Sequence, residues 1–287
     1  VSGEGNGFAA ESGHWYTERG EPINEVPRAK PGKNGEATKP CTLREARPLN
    51  AGRGATTVIR QKYNPAIERY KIRQAKLSVA TFPHSRSEYD SDDAWLAALD
   101  VDADAHAKGA RDVGTLIHAT LERGLRGESL DGDPYATWFG AFRDALGDAG
   151  LGAIEFQAER SAAHWMGYGC KLDAVSPTAR IIIDHKGREL RDGEKPTPYF
   201  EVAMQLAAQR EAMRYGLGER VPAQWRCFCG IFDRTRAMYH LVEVPARELD
   251  RGWRAFVACL ALQRIADDYA PEWYSTNAGY LLKEEAA

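Results

Sequence analysis

Apolar residues recur at Val113, Leu116, Ile117, Leu121 and Leu125, the three- and four-residue spacing of one helix face, and Trp138, Phe139, Phe142 and Leu146 repeat the pattern. Two amphipathic helices are predicted there. The period then changes: about Ala153 to Ala163, Tyr168 to Val175 and Ala179 to His185 have strand character, separated by turn signals at Met166-Gly167 and Ser176-Pro177. Helical spacing returns from Phe200 to Tyr215. Trp225, Cys227, Cys229 and Ile231 alternate, Met238 to Val244 offers a partner strand, and a long helix covers about Ala246 to Tyr269. Helix, three strands, helix, two strands, helix is the element order of an α/β protein whose sheet is flanked by helices.

The rest of the chain is less regular. Residues 1–52, rich in Gly, Pro and charge, suggest an arm of loops with a short hairpin near His14 to Tyr16. Residues 53–105 hold two stretches of opposite sign. Arg53, Arg60, Lys62, Arg69, Lys71, Arg73 and Lys76 face a single acid, Glu68, with Tyr63 and Tyr70 interleaved; from Glu88 to Asp104 there are seven acids and no Lys or Arg. The acidic stretch is expected to be a solvated linker or helix face. If Pro65 starts a helix, Arg69, Arg73 and Lys76 lie near one face and make a candidate phosphate-binding stripe, with a merely solvated face as the equal alternative. Residues 106–287 then form the core, ending in a hairpin and helix.

Composition changes this picture little. The 287 residues carry a formal net charge of −3, so no global basic field draws the chain to nucleic acid and any such contact must be local. No apolar run has membrane-span length, and the polar start lacks a signal-peptide core, which suggests an intracellular, cytoplasmic protein. Five cysteines, at 41, 170, 227, 229 and 259, show no CxxC spacing and fit reduced thiols; Cys227 and Cys229 point to one face of a strand, where packing is expected.

The chemistry lies in the middle strands. Ile181-Ile182-Ile183, a β-branched run suited to a central strand, leads straight into Asp184-His185-Lys186. Alternation puts Asp184 and Lys186 on the same face, as a structural ion pair or as a catalytic couple. Asp173, between Leu172 and Ala174, and Glu159, after Phe156 and Ala158, are further acids in apolar surroundings. Buried carboxylates are costly unless paired or bound to a cation, so their convergence on one sheet implies a hard divalent ion, which phosphodiester hydrolysis requires. His118 lies four residues after Gly114 on the preceding helix; Gln205 and Gln209 lie one turn apart on the later helix beside Ala208 and Ala212, where a polar surface stripe is the plainer reading.

Taken in order, Gly114-x-x-x-His118, Glu159, Asp173 after a glycine-containing hairpin, Asp184-x-Lys186 on an isoleucine strand and Gln205 on a helix resemble the RecB-type branch of the PD-(D/E)XK nucleases, which includes phage exonucleases and CRISPR adaptation nucleases. The resemblance spans about Gly114 to Tyr215; Gly13-His14-Trp15-Tyr16 and Ala55-Thr56-Thr57-Val58 are more loosely similar to the N-terminal parts of phage members. It implies a restriction-endonuclease-like core with a mixed sheet and a Mg²⁺- or Mn²⁺-dependent deoxyribonuclease acting from DNA ends. It also implies metal ligation by His118, Asp173, Asp184 and the carbonyl of His185, with Lys186 as catalytic lysine and Glu159 at the metal's edge. Gln205 is implied to touch Lys186 or the DNA backbone, and Gln209 belongs with the DNA contacts. Implied partners are DNA and a single-strand annealing or single-strand-binding protein, with no iron–sulfur cluster and no membrane. Three positions depart from the family pattern: Cys170 with glycine displaced to Gly169, Gln209 where Tyr is usual, and Gly187 where Thr often follows the lysine. Two other readings stand beside the exonuclease: a structure-specific flap or junction endonuclease, and a binding module that has lost cleavage.

Overall fold

A computed structural model describes residues 15–32, 35–62, 65–219 and 224–274, with main chain alone for 65–67, 70–71 and 104–111. Gly13, His14 and Tyr63 lie outside the described residues, as do the side chains of Tyr70 and Lys71. The first half of the fold runs β1 (Trp15–Tyr16), β2 (Pro22–Ile23), β3 (Glu25–Pro27), β4 (Thr38–Pro40), α1 (Leu43–Ala46), β5 (Gly52–Gly54), α2 (Ala55–Ile59), α3 (Pro65–Thr81), α4 (Asp92–Leu125) and α5 (Ala136–Asp148). It continues with β6 (Gln157–His164), β7 (Tyr168–Ser176), β8 (Ile181–Arg188), α6 (Phe200–Gly216), β9 (Arg226–Asp233), β10 (Tyr239–Glu243) and α7 (Ala246–Asp267).

Eight strands form the central mixed sheet, in the order β10-β9-β8-β7-β5-β1-β2, with β6 on the remaining edge of β7. β8 runs parallel to β9, and β5 parallel to β7, while β7 is antiparallel to both β6 and β8. Helices cover both faces, as expected. On one side α2, α6 and α7 bury Val58, Met204, Leu206, Ala208, Phe256 and Leu260 against Leu172, Ile182, Cys227 and Ile231; on the other, α4 and α5 bury Ile117, Leu121, Phe142 and Leu146 against Ile181, Ile183 and Phe228. The isoleucine run is thus buried on alternate faces, which is why it shows no polar alternation. Cys227 and Cys229 pack in the core as expected.

The edge of β7 shared by β5 and β8 positions the site. Along β7, β5 pairs only with Tyr168 and Gly169, and β8 only with Ala174 to Ser176. Between those ladders β7 has no strand partner on that edge among the described residues, and β8 splays away to follow β9. A fork opens in the sheet at Asp173 and Asp184.

Two expectations need correction. The N-terminal region is more than an arm: β1, β2 and β5 belong to the main sheet, and the hairpin joins Trp15–Tyr16 to Pro22–Ile23. Strands of two or three residues leave no period to detect, and they persist because β7 supplies a template. The acidic stretch is no linker, since from Asp92 it forms the start of the 34-residue α4 and the boundary at 105/106 passes through that helix. Ser91 caps it by accepting from the Ala94 N–H at 3.1 Å, and Asp92 and Asp93 favour the positive end of the helix dipole. The buried Ser78 of α3 donates to Leu99 O at 2.9 Å and lies 2.9 Å from Asp102, tying the two oppositely charged helices together. No helix among the described residues is long and apolar enough to cross a membrane.

Candidate active site

A cavity of about 460 Å³ opens at the fork, lined by β7 and β8, by α4 from one face of the sheet and by α6 from the other, with Tyr16, Ala55 and Thr56 closing one wall. It brings together His118, Glu159, Asp173, Asp184, His185, Lys186, Gln205 and Gln209. Asp184 is fully buried; Lys186 Nζ lies 2.5 Å from its Oδ2, while Gln205 Nε2 donates to its Oδ1 at 2.6 Å and Gln209 Nε2 at 3.3 Å. The shared face expected from alternation is therefore realised as a contact.

The fork leaves main-chain groups without ladder partners, and side chains take their place. Asp173 Oδ2 accepts the His185 N–H at 2.7 Å, and Gln209 Nε2 donates to the Lys171 carbonyl at 3.1 Å. The carbonyl of His185 faces His118, whose Nε2 is 3.0 Å away. Glu159, opposite Asp173 on β6, adopts a left-handed backbone (φ 57°) that interrupts the ladder without shifting its register. Such a conformation costs a non-glycine residue on the order of 1–3 kcal/mol, and here the carboxylate it presents pairs with Lys171.

Electrostatics follow from burial and neighbours. Burial pushes the Asp184 carboxyl above its ordinary value against the pull of Lys186, with Asp173 adding to the rise. Burial pulls Lys186 the other way, yet Asp184 and Asp173 outweigh it and hold the ammonium above its ordinary value. Glu159 is raised by burial, opposed by Lys171, with Asp173 and Glu122 contributing further repulsion. His185, whose ring packs against Phe142, Tyr239 and His118, is driven down to about 3, chiefly by burial.

Among the described residues, no three His, Cys, Asp or Glu side chains are gathered closely enough to enclose a metal ion. Asp184 instead turns to Lys186, and His118 to the His185 carbonyl. The donor set nevertheless suits a hard divalent cation: two carboxylates, a main-chain carbonyl and one imidazole border one cavity without a thiolate cage. Asp184 Oδ2 is buried without a well-formed hydrogen bond despite the nearby ammonium. That acceptor and the mutual repulsion of the acids are features a cation would relieve.

Some expected roles change. Gln205 binds Asp184, not Lys186. Gln209 is fully buried and holds Asp184 and the Lys171 carbonyl instead of standing on an exposed stripe; α6 is a core helix, not a surface one, because alanines let it pack closely on the sheet. Arg69, Arg73 and Lys76 are exposed on α3 and take no part in the cavity lining. The cavity also contains residues the sequence reading missed. Glu122, one turn after His118, and Lys171, two residues before Asp173, follow from helical and strand spacing; Tyr16 and Arg234 do not. Gly169 has a local cause: a Cβ there would lie 2.2 Å from Cγ of Tyr16, whose ring occupies that space. The chain matches no known family model and no curated protein.

Proposed function

We propose that this protein is a divalent-metal-dependent nuclease hydrolysing phosphodiester bonds of DNA. The observation that carries this reading is the Asp184–Lys186 pair at the open end of a buried strand, facing Asp173 across the fork. An exposed acid–base pair is common; one built into the centre of a sheet, with Gln205 and Gln209 holding the acid, has a position that stability alone does not require. The metal, held by Asp173, Asp184, His118 and the His185 carbonyl, would activate water and neutralise charge on the scissile phosphate. Lys186, cationic at neutral pH, orients the attacking water or stabilises charge developing on the phosphate oxygens. Gln205 keeps Asp184 Oδ1 engaged, leaving Oδ2 toward Lys186.

Action from DNA ends follows the resemblance to RecB-type nucleases, as does a cytoplasmic setting beside a single-strand annealing or single-strand-binding protein. The test is incubation with end-labelled linear and covalently closed circular DNA in Mg²⁺, Mn²⁺ or EDTA. Linear DNA is expected to shorten progressively with either metal while circles survive. Undiminished cleavage in EDTA sinks the metal mechanism, and rapid cutting of circles replaces the exonuclease with an endonuclease. Binding without cleavage of any substrate leaves only the silent module.

A further inference from the structure

A second, more open cavity of about 780 Å³ begins where the active-site cavity ends, the two sharing Gly187 and Arg234. Gly187 follows Lys186 directly. A Cβ at this position would sit 2.8 Å from the ring of the buried Phe232, so bare main chain forms the passage between the cavities. A glycine in a strand is well suited to such a close approach of another chain.

The far wall carries Tyr199, 60% exposed, immediately before α6. The Arg188 guanidinium lies 4.8 Å from the centre of its ring, and Arg188 is itself held by the Thr197 carbonyl at 3.0 Å and Glu194 at 3.2 Å. The ring is thus braced by a fixed cation. The acids of the groove are largely engaged: Asp192 pairs with Arg236, and Glu194 with Arg188 and the Arg191 N–H, leaving Glu189 beside Arg188, Arg191 and Arg234.

We propose that this groove, from Gly187 to Tyr199, binds a single-stranded nucleic-acid segment adjoining the phosphate in the active cavity, with an unstacked base on Tyr199 and phosphates on Arg191 and Arg234. It rests on the nuclease reading and adds the form of the substrate. An exposed aromatic ring beside cations recognises a base free to leave its neighbours, whereas the bases of a duplex are already stacked. An acidic peptide would satisfy the arginines but gain nothing from the ring.

The test is fluorescence anisotropy of a labelled oligothymidylate and of a labelled blunt duplex, in buffer containing Ca²⁺, with wild type, Tyr199→Ala, Tyr199→Trp and Arg191→Ala. Tyr199→Ala is expected to weaken single-strand binding about tenfold or more, to leave duplex binding little changed, and to be rescued by Tyr199→Trp. Arg191→Ala should reduce the salt dependence of single-strand binding by about one unit of slope. Unchanged single-strand affinity in Tyr199→Ala, with duplex still bound by wild type, overturns the groove and leaves the nuclease reading intact. Single-strand binding that depends on Tyr199, without cleavage in Mg²⁺ or Mn²⁺, keeps the groove and removes the nuclease. Displacement of the oligonucleotide by polyglutamate as readily as by unlabelled oligothymidylate marks a general polyanion surface and also overturns the proposal.

Discussion

Asp184 and His185 are consecutive on β8 and comparably buried, at 0% and 3% exposure, but they face opposite sides of the sheet and meet different surroundings. On the α6 side Asp184 has an ammonium and two amide donors. On the other side His185 has aromatic rings and one phenol, its Nδ1 lying 2.6 Å from the Tyr239 hydroxyl while Nε2 has no partner. Burial pushes both toward neutrality, raising the acid and lowering the imidazole. Only Asp184 has an opposite charge in direct contact. Depth in the core thus sets the penalty on a charge, and the immediate neighbours decide whether it survives; one strand holds an ionic site and an apolar pocket one residue apart.

The comparison is tested most severely by removing the compensating cation. Lys186→Ala is expected to lower kcat by a factor on the order of 10² or more with DNA binding retained, and to destabilise the fold by about 1–3 kcal/mol by removing the cation beside Asp184, the lysine being partly exposed and the two amide donors remaining. The double variant Asp184→Asn/Lys186→Met should recover most of the stability and none of the cleavage, as read by urea unfolding and single-turnover assays. Near wild-type cleavage by Lys186→Ala would reduce the pair to a structural one.

The apolar side predicts an acid-sensitive fold. His185 and the equally sequestered His164 have folded values of about 3, below the ordinary 6.5, chiefly because of burial. The unfolded chain therefore binds protons first. Their contribution to stability is full above about pH 6.5 and is lost as pH falls toward 3, by about 1.4 kcal/mol per pH unit for each histidine. The raised Asp184 works in the opposite direction, its protonated form being favoured in the fold. Replacing His185 by Asn should flatten the pH dependence of unfolding by one proton, and an unchanged slope would show that this imidazole is not kept neutral.

The smallest effect concerns Glu159. Glu159→Gly removes the left-handed strain and a partly exposed ion pair together, so stability should rise by about 1 kcal/mol or stay level while cleavage falls. A drop of several degrees in Tm would instead mean that the pair with Lys171 holds the fork in shape.

Much of this could be read from the sequence where local pattern and final environment coincide. The β8 run announces both burial and the side-by-side placement of Asp184 and Lys186, because alternation is a property of the strand itself. Gln209 is opaque for the opposite reason: a glutamine among alanines resembles a surface stripe until the sheet forks and a carbonyl needs a donor. Tyr16 and Arg234 reach the cavity through tertiary pairings that no spacing records. Gly52–Gly54 looks like a loop because three residues, two of them glycine, have no period, and only pairing with Tyr168 and Gly169 on one edge and with Trp15 and Tyr16 on the other makes them a strand.

That late pairing has a temporal consequence. Arg53 forms a bidentate bridge to Asp267, at 2.8 and 3.0 Å across 214 positions of sequence, and Tyr269 and Trp273 donate to the carbonyls of Ala51 and Asn50. During synthesis the segment that supplies Tyr16, Ala55 and Thr56 to the cavity wall leaves the ribosome long before β7 or the end of α7 exists to receive it. It must wait, unsheltered, while more than a hundred residues emerge, since loop closure over such a span gains nothing until the docking surface is folded. This wall of the cavity is therefore assembled among the last parts of the molecule, and a nascent chain halted before α7 carries β7 and β8 without the clamp that seats that wall.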